Sequence, residues 1–207
     1  MMTRRDAEGT RGALLEAAFQ EMHEHGVGAT SLDSILSRTK LTKGALYHHF
    51  PNKDELVLAV VDEVIVEYLH RMWIDPVVEA EDPIGALASS LTGSLGSISK
   101  EQAELGCPLN RLAQESESGS RLQARIDSVY HDWHNALVAA FTRGQQSGHV
   151  RTDIDPIGAA TFVVACNQGF SGLLRCETSR SALDAALPVY LRFLDSLRPA
   201  TQEPDQQ

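Results

Sequence analysis

The sequence predicts an all-α protein of about nine helices. Apolar residues recur at spacings of three and four along most of the chain, which is the spacing that buries one face of a helix. Glycine and proline separate these segments, and no alternating apolar and polar run bounded by turn residues is long enough to predict a strand. With 207 residues, of which 43% are apolar, the chain has enough material for a substantial core.

The first quarter of the chain predicts three helices. A helix over about 11–25 ends at Gly26, a residue that suits a left-handed helix cap. The stretch 32–50 then holds two short apolar-periodic segments on either side of a tight break. Thr42 offers a hydroxyl that caps the second segment, over about 43–49. Two short helices about a tight turn are typical of a helix-turn-helix.

Capping signals divide the remainder of the chain into further helices. Asn52, with Glu55 three residues later, begins a long helix that continues towards Trp73. An aspartate before a proline begins new helices at Asp82-Pro83 and at Asp155-Pro156. The other predicted segments are helices at 107–115, 118–146, 156–175 and 179–198 and a disordered tail at 199–207.

The second short helix is polar where a core helix would not be. Its Lys43, Tyr47 and His48 offer hydrogen-bond donors that a core does not require. The sequence TKGALYHHFxNKxEL at 42–56, preceded by LLEAAFQEMHEHG at 14–26, resembles the TetR family of bacterial repressors. The resemblance is close over this N-terminal part, and beyond residue 60 it depends mainly on the pattern of helices.

The resemblance implies a domain organisation and a set of DNA contacts. It implies an N-terminal arm and helix-turn-helix domain over 1–52 and a helical effector-binding and dimerisation domain over 53–198. The residues expected to face DNA are Thr30, Ser31, Lys40, Thr42, Lys43, Ala45, Leu46, Tyr47, His48 and Lys53. Tyr47 and Lys53 are expected to contact phosphate, whereas Leu46 has core packing as its alternative. Lys40 stands where glycine is common in the family's turn, so a positive φ there would cost about 1 kcal/mol.

The distribution of charge is compatible with DNA binding by the N-terminal part. The net charge of −10 by itself disfavours a nucleic-acid partner, because phosphates attract basic surfaces. Residues 1–56 hold seven basic and eight acidic side chains, a net charge of −1, which leaves −9 for the remainder. The acidic excess therefore belongs to the C-terminal part of the chain.

The composition favours a cytoplasmic protein with no membrane partner. No run of about 18 uncharged apolar residues is evident, and the N-terminus lacks the apolar segment of a signal peptide. The three cysteines, Cys107, Cys166 and Cys176, are an odd number. Structural disulfides are therefore not expected.

The last two predicted helices carry more apolar surface than one packed face requires. In the first of them this surface comprises Ala159, Ala160, Phe162, Val163, Cys166, Phe170, Leu173 and Leu174. The second has a leucine seam at roughly heptad spacing, formed by Leu183, Leu187, Leu191 and Leu194. In the resembled family this pair forms a four-helix bundle with its two-fold mate, so a homodimer is expected, with packing inside one chain as the alternative. Such a dimer would place two recognition helices about 34 Å apart on a near-palindromic operator.

The resemblance also implies an effector cavity within residues of about 60–176. Aromatic side chains would form its walls and a few polar ones its anchors, as in most small-molecule sites. The candidates are His70, Trp73, Cys107, Asn110, Tyr130, Trp133, His134, Phe162, Cys166 and Phe170, with Asn167 and Gln168 as further polar anchors. Ordinary core packing is the alternative for each aromatic residue, and no cofactor is expected.

Cys107 is the candidate with the most specific chemistry. The sequence GCPLNRLAQE places its thiol beside Pro108 at the start of a short helix, where free amides and the helix dipole would lower its pKa. A similar glycine-cysteine pair occurs in a TetR subgroup that senses electrophiles and oxidants through this cysteine. Where that subgroup has a partner lysine this chain has Arg175, which is a poor candidate for a covalent link to sulfur. A buried cysteine that acts as a small apolar residue is the alternative.

Three other classes of function stay open. A metal-responsive regulator would use His131 and His134, which lie three residues apart on one helical face but lack a third ligand. A cysteine-dependent enzyme would pair Cys107 with one of these histidines, yet no phosphate loop, nucleophile elbow or paired-carboxylate motif accompanies them. A DNA-binding protein without an effector is the third class. The sequence therefore favours a ligand- or redox-responsive transcriptional regulator, expected to be a repressor, over an enzyme or a metal site.

Overall fold

A computed structural model describes residues 4–97, 99–174 and 180–200, and within these ranges the protein is helical and contains no strand. The predicted all-α fold class is confirmed. The helices are α1 (Arg4–His25), α2 (Leu32–Ser37), α3 (Lys43–His49), α4 (Lys53–Val60), α5 (Val66–Leu69), α6 (Asp75–Glu79), α7 (Pro83–Ser97), α8 (Lys100–Leu105), α9 (Pro108–Glu115), α10 (Arg121–Ser147), α11 (Pro156–Leu174) and α12 (Arg180–Ser196). Helix α8 is absent from the predicted elements.

The chain divides into two compact units. One unit holds the residues up to Leu69 together with Leu105–Tyr130, and the other holds His70–Glu104 and the residues from His131 onward. Helix α10 contributes its N-terminal part to the first unit and its C-terminal part to the second. The predicted division at residue 52 concerns function and stays a prediction.

Helix α1 begins at Arg4, several residues before the predicted start near residue 11. The sequence here has no proline, and Asp6 and Glu8 lie near the amino end of the helix, where negative charge is favourable. The helix ends as predicted, because Gly26 has φ of +85° and its amide donates to the Met22 carbonyl at 2.9 Å. The expected N-terminal arm is therefore helical from Arg4.

The predicted N-terminal caps are formed by the expected residues. The Thr42 hydroxyl accepts a hydrogen bond from the Ala45 amide at 3.2 Å, and the Asn52 Oδ1 atom accepts one from the Glu55 amide at 2.9 Å. The same role is taken at α7 and α11 by Asp82 and Asp155. Each cap satisfies amides that have no partner inside the helix, which stabilises a helix by about 1 kcal/mol.

The helical run after Asn52 contains two π-helical turns, at Val61–Ile65 and His70–Ile74, which the sequence did not predict. The predicted end near Trp73 is also wrong, because the run continues to Glu79. Pro76 lacks an amide hydrogen, and in an α-helix its ring would meet the carbonyl four residues earlier. A wider turn immediately before Pro76 avoids that contact, so the second π-helical turn has a local cause.

Helix α11 corrects the prediction about uncharged runs. Its 19 residues include no Asp, Glu, Lys or Arg, and by length and composition alone the helix could cross a membrane. One such helix is weak evidence for a membrane protein, because core and interface helices of soluble proteins have the same composition. Its buried side comprises Ala159, Ala160, Val163 and Asn167. Its opposite side carries exposed apolar side chains.

Several predicted features fall on residues that the structure does not describe. Arg175, Cys176 and the connection between the last two helices lie outside the described residues, as does the predicted tail from residue 201 onward. Pro199 and Ala200 are described, and both are exposed and non-helical.

Replacing Gly26 by alanine is expected to destabilise the protein by more than about 1 kcal/mol. The positive φ alone costs a residue with a Cβ atom about that much. The new Cβ would also lie 2.6 Å from the carboxylate oxygens of Glu115. Urea unfolding followed by circular dichroism measures the loss. Gly28→Ala is the matched control, since a Cβ there meets no atom within 4 Å. Equal stability of the two variants would contradict the conclusion that the helix end at Gly26 requires glycine.

Candidate nucleic-acid interface

Helix α3 has one buried face and one exposed face. Leu46 is completely buried, and Phe50, directly after the helix, is 2% exposed. The exposed side chains are Thr42 at the cap, Lys43, Tyr47 and His48. Hydroxyl, ammonium, phenol and imidazole groups are donors that suit phosphate oxygens and base edges. The face that α3 turns outwards is therefore chemically suited to nucleic acid.

An ion-pair cluster ties α2 to α1. The Nε atom of Arg38 donates to Glu21 at 2.5 Å, and its Nη2 atom donates to Glu24. These hydrogen bonds lower the pKa of both glutamates and raise the pKa of Arg38. The Glu21 side chain is only 9% exposed, so its charge depends on this arginine.

The turn between α2 and α3 is built without backbone strain. The Thr39 hydroxyl donates to the Leu36 carbonyl and accepts from the Leu41 amide, both at 3.1 Å. Among the described residues only glycines have positive φ, so Lys40 does not carry the backbone cost considered from the sequence. Lys40 is exposed beside this turn.

The loop before α2 is held by hydrogen bonds from two later helices. The Lys53 ammonium donates to the Val27 carbonyl at 2.5 Å, and the Glu115 carboxylate accepts from the Val27 amide at 2.6 Å. Arg111, one turn earlier in α9, donates to the His23 carbonyl at 2.6 Å and to Glu115 at 3.1 Å. Helix α9 is thus bonded both to the end of α1 and to the loop that leads into the helix-turn-helix.

Two of the predicted DNA contacts are wrong. Leu46 is buried in the core, which was its alternative interpretation. Thr30 is 3% exposed, and its hydroxyl donates to the Gly26 carbonyl at 2.7 Å. Because both side chains are buried inside the protein, neither can reach a groove of DNA.

The other predicted contacts remain accessible in whole or in part. Ser31, Lys40, Thr42, Lys43, Tyr47 and His48 are exposed, and Ala45 and Lys53 are half-buried. Ser31 also caps α2, because its hydroxyl accepts from the Ser34 amide at 3.0 Å.

Asp33 is a residue of this surface that sequence reasoning missed. Its carboxylate is 3.1 Å from the Lys43 ammonium, and the Asp33 side chain is 78% exposed. The hydrogen bond with Asp33 raises the pKa of Lys43. The pair joins the first turns of α2 and α3 across ten residues, and no local spacing rule predicts such a contact.

An open cleft of about 760 Å³ lies beside α4 in the first unit. Three arginines and three carboxylates line it as ion pairs, namely Arg11–Glu63, Arg121–Glu55 and Arg125–Asp62. The Arg11 guanidinium also lies 4.6 Å from the centre of the Phe50 ring. The pairing leaves the walls of the cleft without a net charge, so nothing in them selects an anion.

Three effector candidates lie in the first unit. Cys107 is half-buried at the cap position of α9. Burial, and after it the charge of Cys107, raises the pKa of the Tyr130 phenol. The Asn110 side chain accepts a hydrogen bond from Gln114 at 2.8 Å.

The remaining effector candidates lie in the second unit, where Trp73 and Trp133 come together. Their ring centres are 6.5 Å apart, and Trp133 is 1% exposed, with no hydrogen-bond partner for its indole nitrogen. His70 lies at the surface and contacts Asp75 at 2.8 Å. His134 contacts the Thr161 hydroxyl at 3.0 Å. Among these four residues only Trp133 is fully buried, whereas Trp73 and His134 are half-buried and His70 is exposed.

Helix α11 holds the last three candidates, and one of them needs correction. Phe162 is 48% exposed and packs against Phe193, so it is a surface residue rather than an enclosed wall. Phe170 contacts Tyr190 edge to face at 5.3 Å between ring centres. Burial raises the pKa of the Cys166 thiol. Burial, and after it the charge of Cys166, raises the pKa of the Tyr190 phenol.

No cluster for a metal ion is found within the part of the chain that the structure describes. There, no three His, Cys, Asp or Glu side chains are grouped as ligands. His131 is exposed, and His134 is engaged by α11.

Two family models match the chain in succession. Residues 14–60 match the model described as bacterial regulatory proteins, tetR family. Residues 83–190, just over half of the chain, match the model of a tetracyclin repressor-like C-terminal domain.

Individual proteins match along most of the chain. ArpR of Pseudomonas putida, a probable HTH-type transcriptional regulator, is 24% identical over 172 residues, 82% of each chain. DhaR of Mycobacterium sp. strain GP1, an HTH-type transcriptional repressor, is 24% identical over 200 residues, 93% of this chain and 94% of its own. The solved structure of Salmonella enterica GusR has a TM-score of 0.73 and 25% identity, and covers 95% of this chain and 97% of its own.

Acidification is expected to destabilise the protein through Arg38 and its glutamates. A carboxyl group whose pKa is lowered by folding contributes stability above its unfolded pKa, and the contribution is lost as pH falls through the folded pKa. Free energies of unfolding from about pH 7 to about pH 3 measure this loss. Arg38→Met should lower stability at neutral pH and flatten the dependence on pH. The control is Arg121→Met, whose ion pair is more exposed; an unchanged slope in Arg38→Met would contradict the assignment.

Tyr47→Phe is expected to weaken binding to all DNA sequences by a similar factor. If the phenol donates to a phosphate, its loss costs about 1 kcal/mol, or roughly fivefold in affinity, without altering base preference. Fluorescence anisotropy with several duplexes measures both quantities. Tyr68→Phe makes the same chemical change in α5, outside the helix-turn-helix. A loss confined to one base position would contradict the phosphate role.

Proposed function

The chain belongs to the TetR family of bacterial regulatory proteins, and from this membership we propose that it is a repressor that binds a near-palindromic operator as a homodimer and releases it on an effector signal. Its relatives are named as transcriptional regulators, not enzymes. Regulators of this family are soluble cytoplasmic DNA-binding proteins, and we assign this chain to the same compartment.

The observation that carries the proposal is the exposed face of α3. An α-helix with its side chains is about 10–12 Å across, which fits the major groove, about 12 Å wide. Helix α3 has seven residues and is therefore about 10 Å long. The exposed side of α3 carries Lys43, Tyr47 and His48. On the opposite side Leu46 is buried in the core and fixes the helix. The helix is therefore fixed in place and presents only polar donors and small side chains to a groove.

The proposed dimer rests on apolar surface that one protomer leaves uncovered. Exposed fractions are 58% for Ile157, 48% for Phe162, 43% for Leu173 and 58% for Val189, all on α11 or α12. Burial of such apolar surface in an interface contributes about 25 cal/mol of favourable free energy for every Å² removed from water. A second copy that brings the same face covers both surfaces at once and creates a two-fold axis. That axis accounts for the near-palindromic operator in the proposal.

The proposed effector site lies in the second unit. The indole nitrogen of Trp133, the Oδ1 atom of Asn167 and the hydroxyl of Tyr190 are buried without a hydrogen-bond partner in the described residues. A buried polar group left unpaired costs about 1–3 kcal/mol, so such groups usually have a ligand or a water as partner. They supply donors and an acceptor but no charge. We therefore assign a neutral, partly aromatic small molecule to this unit.

A redox or electrophile signal at Cys107 is the second candidate, and the bonds of α9 favour it. Cys107 occupies the N-cap position of α9, while Arg111 and Glu115 of the same helix bond to the end of α1 and to Val27. A change at the thiol can thus reach the helix-turn-helix through one short helix. Either signal needs about 2–3 kcal/mol of coupling to change operator occupancy roughly 30- to 150-fold.

Selection of bound sequences from random duplex DNA tests the proposed function directly. The purified, reduced protein at controlled salt is expected to enrich a near-palindrome, and sedimentation of the complex should show two protomers on one duplex. Enrichment of a single asymmetric site by a monomer would contradict the dimer. Failure to enrich any sequence with folded protein would contradict the repressor itself.

Cys107→Ser separates the two candidate signals. If the thiol is the sensor, the variant should bind the operator with unchanged affinity but should no longer release it after treatment with hydrogen peroxide or an electrophile. Cys166→Ser is the matched control, because burial raises the pKa of its thiol and so lowers the fraction present as the reactive thiolate. Undiminished release from Cys107→Ser would exclude the redox candidate and leave the small-molecule effector.

A further inference from the structure

Three basic side chains around α3 are already bonded to other groups of the protein. Arg38 is bonded to Glu21 and Glu24, Lys53 to the Val27 carbonyl, and Lys43 to Asp33. Affinity for DNA of any sequence comes mainly from basic side chains that meet phosphates. This surface therefore has little free positive charge for sequence-independent binding.

The pair between Asp33 and Lys43 is the one that lies on the exposed face of α3. Asp33 stands in the first turn of α2, two residues after the Ser31 cap, where the helix dipole stabilises a carboxylate. Its Oδ1 atom is 3.1 Å from the Lys43 Nζ atom, and the two side chains are 78% and 56% exposed. The carboxylate therefore lies beside an amine that the proposed function places against DNA.

The ion pair of this carboxylate with Lys43 adds little to protein stability. Ion pairs this exposed contribute about 0–1 kcal/mol and are screened by salt. Any DNA backbone that approaches Lys43 also approaches Asp33, and two anions that share one ammonium repel each other. The carboxylate thus opposes contact between Lys43 and phosphate.

A base edge does not meet the same opposition. A lysine ammonium has three donors, so one can stay on Asp33 while the others reach guanine O6 and N7 in the major groove. These acceptors are neutral atoms of the base, so the repulsion between anions is absent. Asp33 penalises the phosphate contact and tolerates the base contact.

We propose that Asp33 is a specificity-determining residue, which competes with phosphate for Lys43 and so reserves this lysine for a guanine edge in the operator. The proposal rests on the proposed function, since it requires that α3 enters the major groove. Its effect is negative selection, because Asp33 weakens binding to unrelated DNA more than binding to the operator.

Asp33→Asn tests the proposal by removing the charge and keeping the shape. Affinities for the selected operator and for a scrambled duplex of the same length and composition are measured at several salt concentrations. The variant should bind the scrambled duplex several-fold more tightly at low salt. The slope of log affinity against log salt should steepen by about one, because one more phosphate contact is made. The ratio of operator to scrambled affinity should fall.

Two further variants make the assignment specific. Asp153→Asn makes the same chemical change in another exposed ion pair, with Arg151 in the second unit, and should leave the affinity ratio unchanged. In a Lys43→Gln background, Asp33→Asn should no longer steepen the salt dependence, because the lysine through which it acts is gone. If circular dichroism shows that Asp33→Asn has lost helix, Asp33→Ser provides a second neutral variant.

The outcomes separate this inference from the proposed function. A wild-type protein that selects an operator, with equal changes in both affinities for Asp33→Asn, would overturn the role of Asp33 alone. Weaker binding to both duplexes would also overturn it, since Asp33 would then only position Lys43. A wild-type protein that selects no sequence would instead overturn the repressor.

Discussion

Burial of Leu46 and Phe50 is the constraint on which the rest of this surface depends. A helix of seven residues does not persist in water by itself, because helix nucleation is unfavourable and few hydrogen bonds follow it. Packing of these two side chains into the core supplies the missing stability and fixes the rotation of α3 about its axis. The polar side chains on the other face are exposed for the same reason, so one packing event creates both the anchor and the interface.

Most of the basic side chains around α3 are bonded to other groups of the same chain. Arg38 compensates the nearly buried Glu21, and Lys53 closes the loop at Val27 together with Glu115. These bonds hold α1, α2 and the intervening loop as a rigid support, but they leave few cations for phosphates. An acidic regulator of this kind, bound to DNA as the proposed dimer, would depend on contacts to bases more than on general attraction to DNA.

In the second unit, helix α11 and the buried side chains of Trp133, Asn167 and Tyr190 carry no charge. Helix α11 has the composition of a membrane span, yet its buried side contains Asn167, and its exposed side carries apolar side chains. Family membership favours a second protomer over lipid as the cover for this face. Inside the unit, unpaired donors and acceptors at Trp133 and Tyr190 make a neutral ligand more suitable than an ion, because a buried charge would need a partner of opposite sign.

The sequence by itself determined most of the helices, several of their caps and the family, but it did not predict α8 or the two π-helical turns. Gly26, Thr42 and Asn52 act as predicted because helix ends are governed by groups within a few residues of one another. About four-fifths of the predicted DNA contacts stay accessible in whole or in part, and Lys43 and Tyr47, four residues apart, share the exposed face of α3. Only the tertiary structure decided that Thr30 and Leu46 are buried and that Asp33 reaches Lys43. Those outcomes depend on which faces meet when distant segments pack, and no local spacing contains that information.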